Sequence, residues 1–186
     1  KLPVVALFVY PSFSPFHFAV PYLVFSAELP EGPLFDLRIV SSSAQPLTAE
    51  RALTVQPDGG LELTETADIL VVPGWHDLDA RPAPELVAAL ERAHARGAHV
   101  VGLCYGAYVL AYAGLLDGRR ASTHWMAEKD FCKRFPRVKL DMNALYVDED
   151  RLITSAGTGA GLDCCLYIVR KYYGSKIANK VARTMV

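Results

Sequence analysis

His99-Val100-Val101-Gly102-Leu103-Cys104-Tyr105-Gly106-Ala107-Tyr108-Val109-Leu110-Ala111-Tyr112-Ala113-Gly114 is the stretch whose reading decides the fold. Val100, Val101 and Leu103 form an apolar run that meets a cysteine. A helical pattern follows in Ala107, Val109, Leu110, Ala111 and Ala113, and Gly114 closes it. The pattern reads as a strand, a sharp turn and a helix, with Cys104 at the turn. A nucleophile elbow has that layout, and its reacting residue takes a strained backbone conformation. Gly102 and Gly106, two positions either side, remove side chains that would clash there. The helix that follows aims its first amides and its positive dipole end at the sulfur, which favours thiolate. A buried structural cysteine is the other reading of this position. The agreement of strand, both glycines and helix favours the elbow.

Outward from this unit, apolar runs recur at Val4 to Tyr10, Leu37 to Val40 and Ile69 to Val72. With Val100 to Leu103 they start roughly thirty residues apart, the length of a βαβ unit. Continuous apolar strands point to a parallel sheet covered on both faces. The spacing predicts helices over Pro84 to Arg96, with Gly97 as the stop, and over Phe16 to Ala27. The stretch Leu47 to Leu63 lacks helix signals, and Pro57-Asp58-Gly59-Gly60 reads as the turn of a small hairpin. Further on, a strand is expected at Ala121 to Trp125 and a helix near Met126 to Arg134. Strands are then expected at Ala144 to Val147 and Leu152 to Ser155, flanking the polar turn Asp148-Glu149-Asp150. Gly157-x-Gly159-x-Gly161 departs from the dinucleotide fingerprint and reads as a tight connection into a helix from Leu162 to Tyr173. Ser175 is expected to cap a last helix. The resulting fold class is α/β: a three-layer sandwich around a mostly parallel sheet, flavodoxin-like, forming a single domain over residues 1–186.

Composition excludes several functions. The 19 Lys and Arg are offset by 20 Asp and Glu, so there is no basic field for nucleic acid. Hydrophobic residues make up 52% of the chain, enough for a substantial core, yet no run of about 20 apolar residues suits a membrane. The four cysteines include adjacent Cys164 and Cys165 and no CxxC pair, which disfavours both a disulfide scaffold and structural zinc. Reduced thiols and a cytoplasmic location fit. The chain starts at Lys1 without methionine, and its last helical pattern reaches Val186 without a stop, so a longer natural chain is expected.

A thiol nucleophile needs a base and a group that orients the base. His17 follows the first strand, His76 the third, and His124 the strand before the Met126 helix, so all three occupy the strand-end edge where Cys104 sits. His94 and His99 belong to the opposite end. These histidines lack a shared metal-ligand spacing, so no metal and no cofactor is expected. The Gly74 amide, in a Pro-Gly turn, is a candidate oxyanion donor together with that of Tyr105.

These motifs carry a resemblance. The chain is similar to the ThiJ/PfpI superfamily, with its class I glutamine amidotransferase-like fold, and most of all to the branch fused to AraC-type transcriptional regulators. The resemblance rests on Val71-Val72-Pro73-Gly74-Trp75, on Gly102 to Gly106, on Ala113 to Trp125, and on Thr154-Ser155-Ala156-Gly157 with Ala160-Gly161-Leu162-Asp163. It implies a sensor domain that precedes a helix-turn-helix domain lying beyond this chain. Enzyme members place a histidine beside the nucleophile; here that residue is Tyr105. Many members carry a glutamate after the first strand, and His17 occupies that position here, leaving no orienting carboxylate. Asp77 and Asp79 are the nearest acids in sequence.

The expected function is therefore ligand sensing and homodimerisation within an AraC-type regulator. The small molecule would lie above Cys104 among Phe16, His17, Gly74, Trp75, His76, Tyr105 and His124, and DNA would be reached only through the other domain. Two alternatives stay open. One is a stand-alone cysteine enzyme of isonitrile hydratase, amidase or glyoxalase type. The other is a redox sensor working through Cys104.

Overall fold

The computed structural model describes residues 1–186. Its centre is a sheet of β1 (Val4–Phe8), β2 (Asp36–Val40), β3 (Ile69–Val72), β4 (His99–Gly102), β5 (Tyr146–Glu149) and β6 (Leu152–Ser155). In space the strands run β5-β6-β4-β3-β1-β2. All neighbours are parallel except β5 and β6. Every residue of β1 and β3 is buried, which is why both read as unbroken apolar runs. The Asp68 carboxylate accepts from the Val4 amide at 2.8 Å and ties the starts of these two strands.

Helices α1 (Pro15–Phe25), α2 (Pro84–Ala95), α3 (Gly106–Tyr112), α4 (Glu128–Arg134) and α5 (Ala160–Arg183) complete the layers. α1 packs with α5, α2 packs with α3, and both pairs contact the sheet. Helix α1 buries Phe18, Pro21, Val24 and Phe25, and each large side chain taken from water contributes about 1.5–3 kcal/mol. Pro15 suits the first turn, where no helical amide is needed.

Three expectations are corrected. The hairpin pairs Leu47–Thr48 with Thr54–Val55, and its tip falls between them, not at Pro57 to Gly60. That Pro-Gly segment runs beside β2, with the Asp58 amide donating to Ile39 O and the Ile39 amide donating to Asp58 Oδ2. A 3-10 helix, Leu61–Thr66, begins at the end of the stretch that had no helix signal. The strand expected at Ala121 to Trp125 is only Arg120–Ala121, paired with Lys139–Leu140. Beyond it, the Ser122 amide and the Thr123 hydroxyl bond to Thr154 Oγ1 and Cys104 O instead of a strand ladder. The last two helices are found as expected: α5 is two helical segments that meet at Gly174, whose φ of 81° lies in the left-handed region that glycine adopts freely.

Candidate functional site: a crevice beside Cys104

β4 ends at Gly102 and α3 begins at Gly106, with Cys104 between them at φ 55°. A residue with a Cβ meets steric resistance there, and such strain costs about 1–3 kcal/mol. The surroundings hold it. The Cys104 amide donates to Ser155 Oγ at 3.2 Å, and Thr123 Oγ1 donates to Cys104 O at 2.9 Å. A Cβ on Gly102 would lie 2.8 Å from the Gly106 backbone, and one on Gly106 would collide with the Val72 carbonyl. Both glycines are thus demanded by close backbone approach.

The backbone amides of Tyr105 and Thr158 act on the thiol, favouring its ionised form. Thr158 belongs to the Gly157-to-Gly161 loop, which sequence reading treated as a plain connection. Cys104 is only 1% exposed. Burial pushes its thiol up to about 11, and the two amides pull it only part of the way back. At neutral pH it is a protonated thiol. This corrects the expectation that the helix N-terminus makes Cys104 easily ionised: α3 is short and desolvation outweighs it.

A cavity of about 220 Å³ opens beside this turn, at the carboxyl ends of β1 and β3. The chain reverses direction across the sheet between these strands, so this is the topological switch point where open α/β sheets bind ligands. Tyr10, Ser12, Ser14, His17, Glu50, Gly74, Trp75, His76 and Tyr105 line it. The structure therefore brings together His17, Gly74, Trp75, His76 and Tyr105 from the sequence-derived set. Cys104, Phe16 and His124 are not among the lining residues.

Glu50 and Tyr10 are the additions. Glu50 comes from the hairpin tip, held there because its amide donates to Phe13 O at 3.1 Å and the Ser12 amide donates to Thr48 O at 2.9 Å. The crevice is thus not free of carboxylate, and the acid is neither Asp77 nor Asp79. Asp79 faces Arg134, at 2.8 Å. The Tyr10 ring lies 5.1 Å from Trp75 and 5.6 Å from His76, forming an aromatic wall. A Cβ on Gly74 would meet the Tyr10 hydroxyl at 2.8 Å, so only glycine leaves that hydroxyl in place. Burial lowers the pKa of His17, Glu50 opposes this, and His124 adds to it. His17 Nε2 is buried without a hydrogen-bond partner.

His124 lies at the start of the 3-10 turn Trp125–Ala127. Its Nδ1 accepts from the Met126 amide at 3.2 Å and its ring stacks on Tyr105 at 5.0 Å. It buttresses the crevice from behind Tyr105. His94 and His99 lie away from the crevice, bonded to Asp150 O and to the Tyr172 hydroxyl.

The Trp75–Arg81 loop is tethered at three points. Trp75 Nε1 donates to Ala80 O and the Tyr112 hydroxyl to Leu78 O, at 2.8 and 2.7 Å. Arg134 completes the set by donating to Asp79, Tyr112 Oη and Asp130.

Residues 4–171 match the DJ-1/PfpI family. The chain belongs to that family. The match covers the whole sheet and every residue of the crevice, so the site is part of the DJ-1/PfpI domain itself. Among relatives, the HTH-type transcriptional regulator CdhR of Pseudomonas aeruginosa is 35% identical over 82% of this chain and 45% of its own length. The chain spans about half the length of the curated regulators it matches. The isonitrile hydratase of Pseudomonas putida is 30% identical over 87% of this chain and 68% of its own. Among solved structures, an AraC family transcriptional regulator from Pseudomonas putida superposes with a TM-score of 0.86 at 24% identity, covering 99% of this chain and 100% of that one. That likeness shows the DJ-1/PfpI fold: a mostly parallel sheet flanked by helices.

Proposed function

We propose that this DJ-1/PfpI domain is the ligand-sensing and dimerisation part of an AraC-type transcriptional regulator, and that it recognises a small molecule without turning it over. One observation carries the second half of this reading: Cys104 is buried and its thiol, at about 11, stays protonated at neutral pH. The regulator relatives support the first half. DNA would be reached through a separate helix-turn-helix domain, consistent with 19 basic residues offset by 20 acidic ones here. Phe16, Tyr22 and Leu23 on α1 are exposed apolar side chains that a two-fold partner would cover. A cytoplasmic location accords with four free thiols. No helix is long and apolar enough to cross a membrane.

The second reading is a cysteine enzyme. The isonitrile hydratase relative and the Glu50 carboxylate in the crevice favour it. Two measurements separate the readings. Residues 1–186 are fused to a reporter DNA-binding domain that requires dimerisation, and the purified chain is assayed for hydration of an isonitrile to a formamide. Ligand-dependent reporter output without turnover supports sensing. Turnover abolished by Cys104→Ser overturns it. A monomer by light scattering at micromolar concentration removes the dimer.

A further inference from the structure

A second cavity, about 290 Å³, adjoins the first, and Tyr10, Trp75 and His76 line both. The two differ in chemistry. The second is apolar in its depth, with Leu47 and Leu86 among its lining, and Ser41, Ser42 and Ser43 lie along it. The first contains Glu50, the one acidic side chain lining either cavity, and no lysine or arginine lines either.

We propose that the two cavities together take one organic cation with a short apolar tail, its charge beside Glu50 and the shared aromatic wall, its tail in the apolar cavity. The inference deepens the sensing reading and rests on it for its biological meaning. Four features point to a cation. The faces of Tyr10 and Trp75 attract positive charge through their ring quadrupoles. Glu50 supplies a carboxyl group on the same side. Burial keeps His17 deprotonated and the Cys104 thiol protonated at neutral pH, so neither brings a charge of its own. His17 Nε2 is buried and unpartnered, and with the ring proton on Nδ1 it accepts an N–H from an ammonium group. The tail follows from the second cavity, where removing a methylene from water is favourable and no charge needs a partner.

The test is calorimetric titration of the 186-residue chain with n-butylammonium, n-butanol and butyrate, which share a tail and differ in head charge. The cation is expected to bind in the millimolar range or tighter, and the other two on the order of ten-fold more weakly. Glu50→Gln should weaken the cation by a similar factor, and Glu50→Asp should retain part of the binding. Glu50 is exposed, so these variants keep the fold. Lengthening the alkylammonium from methyl to hexyl should tighten binding by up to about four-fold per methylene. Ser42→Trp, which fills the second cavity from an exposed position, should flatten that series. Butyrate binding as tightly as n-butylammonium overturns the proposal, as does an unchanged cation affinity in Glu50→Gln or the absence of binding by every alkylammonium. If the cations fail while the reporter fusion answers another molecule, the cation falls and sensing stands. If the cations bind and the reporter answers nothing, sensing falls alone.

Discussion

Gly106 lies directly beneath the carbonyl of Val72, with no room for a Cβ between α3 and β3. Gly106→Ala must push the helix off the strand and disturb the Cys104 turn. We expect a loss of about 2–4 kcal/mol in denaturant unfolding. Gly118→Ala, at positive φ (76°) but with nothing near the added methyl, should cost only about 1–2 kcal/mol. No loss in Gly106→Ala would mean that the close approach contributes nothing.

Thiol reactivity should follow exposure. Cys132 is exposed on α4, whereas Cys104, Cys164 and Cys165 are buried. Alkylation at about pH 8, near an ordinary thiol pKa, should modify Cys132 first. Labelling of Cys104 should accelerate only as pH climbs toward about 11. Peptide mass mapping over a pH series reads both. Preferential labelling of Cys104 at neutral pH would sink the burial argument.

Acid should destabilise the fold through two histidines. Burial depresses the pKa of His17 and His99 below 6.5. The unfolded chain therefore binds their protons more readily. The stability they contribute is complete above pH 6.5 and is lost as pH falls through their depressed folded values. A His17→Gln, His99→Gln double variant should show a flatter stability profile below pH 6.5 in urea titrations. An unchanged slope would show that neither imidazole is held neutral.

Arg134 should matter beyond its own helix. It joins Asp79, Asp130 and Tyr112, and Asp130 also accepts from the Tyr108 hydroxyl at 2.7 Å. Arg134→Met should cost about 1–3 kcal/mol, because charged hydrogen bonds are lost around a partly buried site. Protease cleavage should then appear within Leu78–Arg81 before global unfolding. Cleavage elsewhere first would mean that the loop does not depend on this residue.

The sheet was legible because a strand buried on both faces cannot avoid an apolar run, as Ile69 to Val72 shows. The Cys104 turn was legible because Gly102 and Gly106 answer a steric demand. The Thr158 amide was not, since a backbone donor leaves no mark on residue type. Nor was Glu50: the tip that carries it reads Ala49-Glu50-Arg51-Ala52-Leu53, and a turn with Ala52 at φ 29° has no glycine or asparagine to announce it. The strand expected to reach Trp125 misled because Ser122 and Thr123 resemble strand residues while their polar groups bond elsewhere. The charge state of Cys104 depends on how much protein surrounds it, which only the folded chain determines.

Gly174 stands where a connecting loop would otherwise be needed. The nine residues from Ser175 to Arg183 form an arm about 13 Å long, held by the Lys180–Glu31 ion pair and by buried Ala178 and Val181. One left-handed residue is thus enough to re-aim the chain, and both halves of α5 keep their packing on the same core.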